Sequence, residues 1–280
     1  MGVRRAVELA SEQARAGGPV YTLGPLVHSS RALASLENLG VKAVDDIPQN
    51  PENCTIVIRA HGISPAIEKK LRESGCRVVD ATCPKVKAIQ LKAQELSRAG
   101  YSLFLAGDEK HAEIAGILGY AEDGFCSGGI QSPFCVTAAS VWEAEKAAIG
   151  LSEINKDAKT ALLGQTTICA EDYLAIGEAV KKYFPNLEIV QTICDATAGR
   201  QQALRELLEQ VDSVVIAGGQ KSANACRLLA IAKESGKPCV LVESASEIPT
   251  VFHRYETVGL CAGASTPDSL IDEIELELYR

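Results

Sequence analysis

The sequence predicts an α/β fold: three similar α/β units in a pseudo-threefold arrangement around a central site. Three observations predict it. Short β-rich apolar runs alternate with longer amphipathic stretches of helical period along the whole chain, the pattern of parallel sheets covered by helices. A spacing of 28 positions recurs between chemically similar residues, which marks an internal repeat. Polar side chains stand at the strand ends, where parallel sheets gather their binding groups.

The units are expected at 1–81, 82–191 and 192–280. In the first, a helix over Val3–Ala16 precedes strands at Pro19–Thr22, Thr55–Arg59 and Arg77–Val79. The second has a helix over Lys85–Ala99, strands at Ser102–Ala106 and Ala161–Leu163, a helix over Ala170–Tyr183 and a strand at Glu188–Val190. The third has helices over Gly199–Gln210 and Asn224–Ser235 among strands at Ser213–Ala217, Cys239–Val242 and Thr257–Cys261. Asp, Gly and Pro in Asp45–Asn53 and Ala121–Pro133 predict surface loops there.

Composition narrows the function classes. With 46% hydrophobic and 23% charged residues, the chain has material for a core and an ordinary soluble surface. A net charge of −8 argues against a nucleic-acid binder but leaves room for a local basic pocket and an anionic small substrate. No apolar run approaches the roughly 18 to 20 residues that span a bilayer. Met1-Gly2-Val3-Arg4-Arg5 leads directly into a polar, helix-like stretch, so neither a signal peptide nor a membrane association is expected, and the cytoplasm is the expected location. Ten cysteines are present. Without an oxidising compartment most should be small buried hydrophobes, Cys239 in Pro-Cys-Val-Leu-Val among them.

Position separates ligands from fillers. Three helix starts carry a basic residue just after a turn: Met1-Gly-Val-Arg-Arg-Ala, Cys83-Pro-Lys-Val-Lys-Ala and Cys194-Asp-Ala-Thr-Ala-Gly-Arg. One helix and one strand later come the polar loops ending in His28, His111 and Ser222; Cys83 to His111 and Cys194 to Ser222 are both 28 positions. The same count back from His28 reaches the position just before Met1. A second strand-end loop in each unit carries His61, Thr166 with Thr167, and Ser265.

Cys83, in Asp-Ala-Thr-Cys-Pro, and Cys194, in Thr-Ile-Cys-Asp-Ala, sit between a strand and a helix, where the helix N-terminus favours a thiolate. Inert core cysteines are the bland reading; equivalent placement favours a metal or redox role, with zinc and an iron–sulfur cluster both open because no CxxC pair chooses between them. His28, His61 and His111, with Thr166, Thr167, Ser222, Asn224 and Ser265, form a donor set suited to anionic oxygens. Glu113, two residues after His111, is either a solvated first-turn glutamate or a proton donor with a raised pKa. His253 has no repeat partner and is expected at the surface.

Taken together, GVRRAVE, VHS, AHGIS, DATCP, KHAEIAG, GQTT, the Ile-Cys-Asp-Ala-Thr run ending in Arg-Gln, KSAN and AGASTPD resemble the 4-hydroxy-3-methylbut-2-enyl diphosphate reductase (LytB/IspH) family over essentially the whole chain. The resemblance implies three α/β units around a 4Fe–4S cluster held by three cysteines, with one iron lacking a protein ligand. Cys83 and Cys194 match two of those cysteines. His28, His61, His111, Thr166, Ser222, Asn224 and Ser265 match the substrate-binding residues. Ala223, where relatives often have a second serine, keeps its backbone N–H as a donor. Glu113 matches the proton donor and Thr166 its relay partner. The family reads Gly-Phe-Cys-x-Gly-Val where this chain starts at Met1-Gly2-Val3, so the first strand and first cluster cysteine are expected to be missing from it; Cys169 and Cys226 are candidate substitutes.

The implied activity is a reductive dehydroxylation giving isopentenyl and dimethylallyl diphosphate, the last step of the non-mevalonate isoprenoid route, with ferredoxin or flavodoxin as electron donor. A cluster-deficient homologue that binds the diphosphate without turnover is the alternative. A zinc hydrolase using Cys83, Cys194 and a histidine would leave the repeated anion donors unexplained.

Overall fold

A computed structural model describes residues 2–27, 30–48 and 51–280 of the 280-residue chain. In chain order the elements are α1 Gly2–Ala16, β1 Val20–Leu23, α2 Ser30–Asn38, β2 Val41–Val44, β3 Thr55–Ile58, α3 Pro65–Glu73, β4 Arg77–Asp80, α4 Pro84–Arg98, β5 Ser102–Ala106 and α5 Ala112–Gly128. They continue as β6 Cys135–Ala138, α6 Val141–Ile154, β7 Thr160–Gly164, α7 Ala170–Lys181, β8 Glu188–Ile189, α8 Asp195–Gln210, β9 Ser213–Ala217, α9 Ala223–Glu234, β10 Cys239–Val242, β11 Val258–Ala262 and α10 Asp268–Leu278. The pairs β1–β2, β3–β4, β5–β6, β5–β7, β7–β8, β9–β10 and β9–β11 are all parallel, so the α/β class holds.

The chain divides into two compact units. One comprises Gly2 and residues 47–194. Its principal sheet has the order β6-β5-β7-β8, and β3 pairs with β4 in register Thr55 to Arg77. The buried runs Leu103–Ala106 of β5 and Thr160–Gly164 of β7 show no alternation because helices cover both faces. Leu103, Leu105 and Leu163 pack there with Ile89 and Leu96 of α4 and Ile114 and Ile117 of α5.

The other unit comprises residues 3–46 and 195–280. Its three-stranded sheet has the order β10-β9-β11, and β1 pairs with β2. One face of β9 gives Val214 and Ile216 to a core with Leu204, Leu208 and Leu228. The other gives Val215 and Ala217 to a core with Phe252, Leu270 and Ile274. In both units' main sheets the first strand is central, with the second and third on either side. This shared order is the structural form of the internal repeat.

Most expected strands and helices are present with ends shifted by a few residues. One expectation fails: Ala121–Gly128 is not a surface loop but the last two turns of α5. Glycine misled because its role there is close packing. A Cβ at Gly124 would stand 2.4 Å from the Gln94 carbonyl oxygen, and one at Gly128 would stand 2.7 Å from that of Arg98. The bare positions let α5 lie against the α4 backbone; the helix stops at Gly129, whose φ of 67° provides the left-handed cap. Strands β2 and β6 were not expected. Each has only four residues and lies at a sheet edge, too short for a periodic signal.

Candidate functional site

The 28-residue spacing separates two successive helix starts. Cys83 is the N-cap of α4 and His111 that of α5; Cys194 directly precedes α8 and Ser222 caps α9. A helix N-terminus leaves backbone N–H groups unpaired, so the repeat places polar or sulfur side chains where donors accumulate.

In the unit built on β5, the strand-end loops are tied to one another. After β3 the chain turns through Arg59–Gly62, closed by the Gly62 N–H donating to the Arg59 carbonyl at 2.9 Å. Gly62 has φ 70°, a conformation that glycine adopts freely. The turn sets His61 beside His111, ring centroids 5.3 Å apart and planes perpendicular. The Cys83 N–H donates to the Ala60 carbonyl at 3.0 Å, and the Cys194 N–H to the Thr166 carbonyl at 3.0 Å. Thr192 Oγ1 accepts from the Gly164 N–H at 3.0 Å, tying the start of the Thr166 loop to the chain entering Cys194.

The His111 ring accepts the Glu113 N–H at Nδ1, 3.2 Å away. That bond leaves Nε2 as the protonated nitrogen of a neutral ring. The Glu113 carboxyl is buried, 2% exposed, and pinned by a single residue. The Thr166 N–H donates to Oε1 at 2.6 Å, and the Thr166 hydroxyl donates to Oε2 at 2.9 Å. Burial raises the Glu113 pKa to about 7, against the pull of the two Thr166 bonds toward the charged form. The surface-glutamate reading is thereby overturned. A carboxyl at this pKa can give and regain a proton near neutrality, and the Thr166 hydroxyl can accept from the acid or donate to the carboxylate.

Cys83 and Cys194 are both partly exposed at helix starts. A Cβ at Gly2 would come 2.8 Å from Cys83 Sγ, so the backbone approaches this sulfur where a side chain would crowd it. Thiolates are the donor type of iron–sulfur clusters. Among the described residues, however, no group of three or more His, Cys, Asp or Glu forms a metal shell, and these two thiols alone do not complete a cluster site. Of the two suggested substitutes, the Cys169 thiol donates to Glu171 Oε2 at 2.6 Å, and that of Cys226 to the Gln220 carbonyl at 3.1 Å.

In the unit built on β9, Ser222 caps α9 with its Oγ accepting the Ala225 N–H at 3.4 Å. Ala223 opens the helix, and Asn224 follows in its first turn. Asn224 is 5% exposed, yet among the described residues neither its amide nitrogen nor its amide oxygen has a hydrogen-bond partner. A buried amide left so costs about 1–3 kcal/mol per group, which a ligand at this helix start would offset. Ser265 follows β11, the neighbour of β9, in a turn where the Thr266 hydroxyl donates to the Ala217 carbonyl at 2.8 Å. His28 lies outside the described residues. His253 is exposed, as expected, 3.9 Å from Glu277.

The sequence missed the way Thr166 clamps Glu113 through both backbone and side chain. It also gave no sign that Asn224 is buried without partners.

The profile of the LytB protein family matches residues 1–279. A 4-hydroxy-3-methylbut-2-enyl diphosphate reductase of Treponema denticola is 42% identical over 289 residues, covering 100% of this chain and 95% of that protein. The reductase of the same name from Aquifex aeolicus is 36% identical over 282 residues, covering 100% and 92%. Among solved structures, the E-1-hydroxy-2-methyl-but-2-enyl-4-diphosphate reductase of Plasmodium falciparum superposes with a TM-score of 0.90 at 25% identity, covering 100% of this chain and 84% of that one. With the fold, the helix-start cysteines and the Glu113–Thr166 pair in place, the chain belongs to the LytB family.

Proposed function

We propose that this chain reduces 4-hydroxy-3-methylbut-2-enyl diphosphate to isopentenyl and dimethylallyl diphosphate. The step replaces a C–O bond by a C–H bond: two electrons and two protons enter, and the oxygen leaves as water. The Glu113–Thr166 pair carries the reading, because a hydroxide leaving group needs a proton at neutral pH and a carboxyl of pKa about 7 holds one there. After the proton is delivered, the Thr166 N–H and hydroxyl stabilise the carboxylate left behind.

His28, His61, His111, Thr166, Ser222, Asn224 and Ser265, with the Ala223 N–H, are the proposed substrate-binding set. Imidazole N–H groups, hydroxyls and a helix start suit a diphosphate. The family is generally iron–sulfur dependent; the finer assignment is a 4Fe–4S cluster with Cys83 and Cys194 among its ligands, supplying the electrons when bound. Ferredoxin or flavodoxin is the proposed donor. The three-unit division at 1–81, 82–191 and 192–280 and a cytoplasmic location complete the reading. No helix of the described residues is long and apolar enough to cross a membrane.

The test is anaerobic reconstitution with iron and sulfide, then oxidation of reduced methyl viologen in the presence of the diphosphate, with products resolved by chromatography. Substrate-dependent oxidation giving both products is expected. Binding of the diphosphate without turnover by a reconstituted, coloured protein would overturn the proposal.

A further inference from the structure

We propose that Cys54 and Cys76 form a reversible disulfide by exchange with a small-molecule disulfide such as oxidised glutathione. The two residues directly precede β3 and β4, whose first residues, Thr55 and Arg77, are register partners. The Arg77 N–H donates to the Cys54 carbonyl at 3.0 Å, which brings the cysteines side by side on neighbouring strands. Adjacent strands lie about 4.8 Å apart, inside the roughly 4.4–6.8 Å Cα separation that a disulfide accepts. The sulfurs themselves are 3.5 Å apart.

Their surroundings differ from those of a hydrocarbon-packed cysteine. The Cys54 thiol donates to the Pro51 carbonyl at 3.2 Å, and Cys76 Sγ accepts the Ser74 hydroxyl at 3.1 Å. Cys76, the more exposed of the two buried cysteines, attacks first; burial and the neighbouring sulfur push the Cys54 thiol up to about 11, and it gives up its proton in the second exchange. Cys76 displaces one glutathione to give a mixed disulfide; Cys54 then displaces the second. The two cysteine sulfurs lose two electrons, glutathione disulfide gains them, and both thiol protons end on the two released glutathiones.

The bond would cross-link residues 22 positions apart around α3, at the ends of β3 and β4 remote from His61 and Cys83. It therefore staples the strand pair that carries those residues without touching them. Cross-linking restricts the unfolded chain, and the oxidised protein is expected to melt roughly 5 °C higher than the reduced one.

The full chain is equilibrated with oxidised and reduced glutathione, quenched by alkylation, digested and mapped by mass spectrometry. The oxidant is set where the exposed Cys126 and Cys226 become glutathionylated. A Cys54–Cys76 cross-linked peptide, released by dithiothreitol, is expected, together with a higher melting temperature that is lost in Cys54→Ser and Cys54→Ala. Cys54 and Cys76 remaining free, or each carrying its own glutathione, while Cys126 and Cys226 are modified would overturn the proposal. Both readouts, the cross-link and the melting temperature, are independent of turnover.

Discussion

Replacing Thr166 by valine removes one hydrogen bond from a buried acid and keeps another. The hydroxyl bond to Glu113 Oε2, 2.9 Å long, is lost; the backbone N–H bond to Oε1, 2.6 Å long, remains. A hydrogen bond to a charged group contributes roughly 1.5–3 kcal/mol, and about 1.4 kcal/mol corresponds to one pH unit. The Glu113 pKa, about 7 in the native protein, should therefore rise by roughly 1–2 pH units in Thr166→Val. Since a general acid works protonated, the alkaline fall of kcat should move upward by that amount. Its plateau should drop about 10–100-fold because the relay hydroxyl is gone. Thr166→Ser, which restores the hydroxyl, should return both limb and plateau toward native values. The assay is the pH profile of kcat for viologen oxidation by the reconstituted enzyme. An alkaline limb that stays in place in Thr166→Val, or survives unchanged in Glu113→Gln, would refute the assignment.

Glu113 also predicts a pH dependence of stability. Its folded pKa lies above the ordinary 4.5, so the folded state binds the extra proton. Its stabilising effect is complete below pH 4.5 and lost as pH rises through 7. Glu113→Gln should gain stability relative to the native chain across that window, by about 3 kcal/mol at pH 8 in urea unfolding. Asn224→Leu removes one buried amide whose nitrogen and oxygen both lack partners among the described residues; it should leave the melting temperature unchanged or raise it while weakening pyrophosphate binding at least about 10-fold by calorimetry. Gly124→Ala sets a methyl group 2.4 Å from the Gln94 carbonyl oxygen and should destabilise the protein by about 1–3 kcal/mol in denaturant unfolding. Cys83→Ser and Cys194→Ser should each weaken the visible absorption of the anaerobically reconstituted protein, with folding unchanged by far-ultraviolet circular dichroism.

How much could be read beforehand depended on the distance over which each cause acts. The parallel α/β class was legible because a buried strand such as β9 carries a continuous apolar run, Val214–Ala217, bounded by turns. The 28-residue spacing was legible because one helix and one strand separate two helix starts. The glycines of α5 were misread because a packing glycine and a turn glycine look alike until α4 lies against them.

Sequence alone determined the alternation of elements, the repeat, the placing of Cys83, His111, Cys194 and Ser222 at helix starts, and the family those motifs resemble. The elements and their caps depend on residues within a few turns of one another, and the repeat and the motif order are read by comparing such short strings along the chain. Tertiary structure alone decided that Glu113, 53 positions from Thr166, is buried and clamped by it. It likewise decided that His61 faces His111 and that both polar atoms of Asn224 are buried without partners. Desolvation and hydrogen bonding between distant segments arise only when separate strands are brought into one sheet and its helices close over them, and those two effects set what a carboxyl or an amide can do.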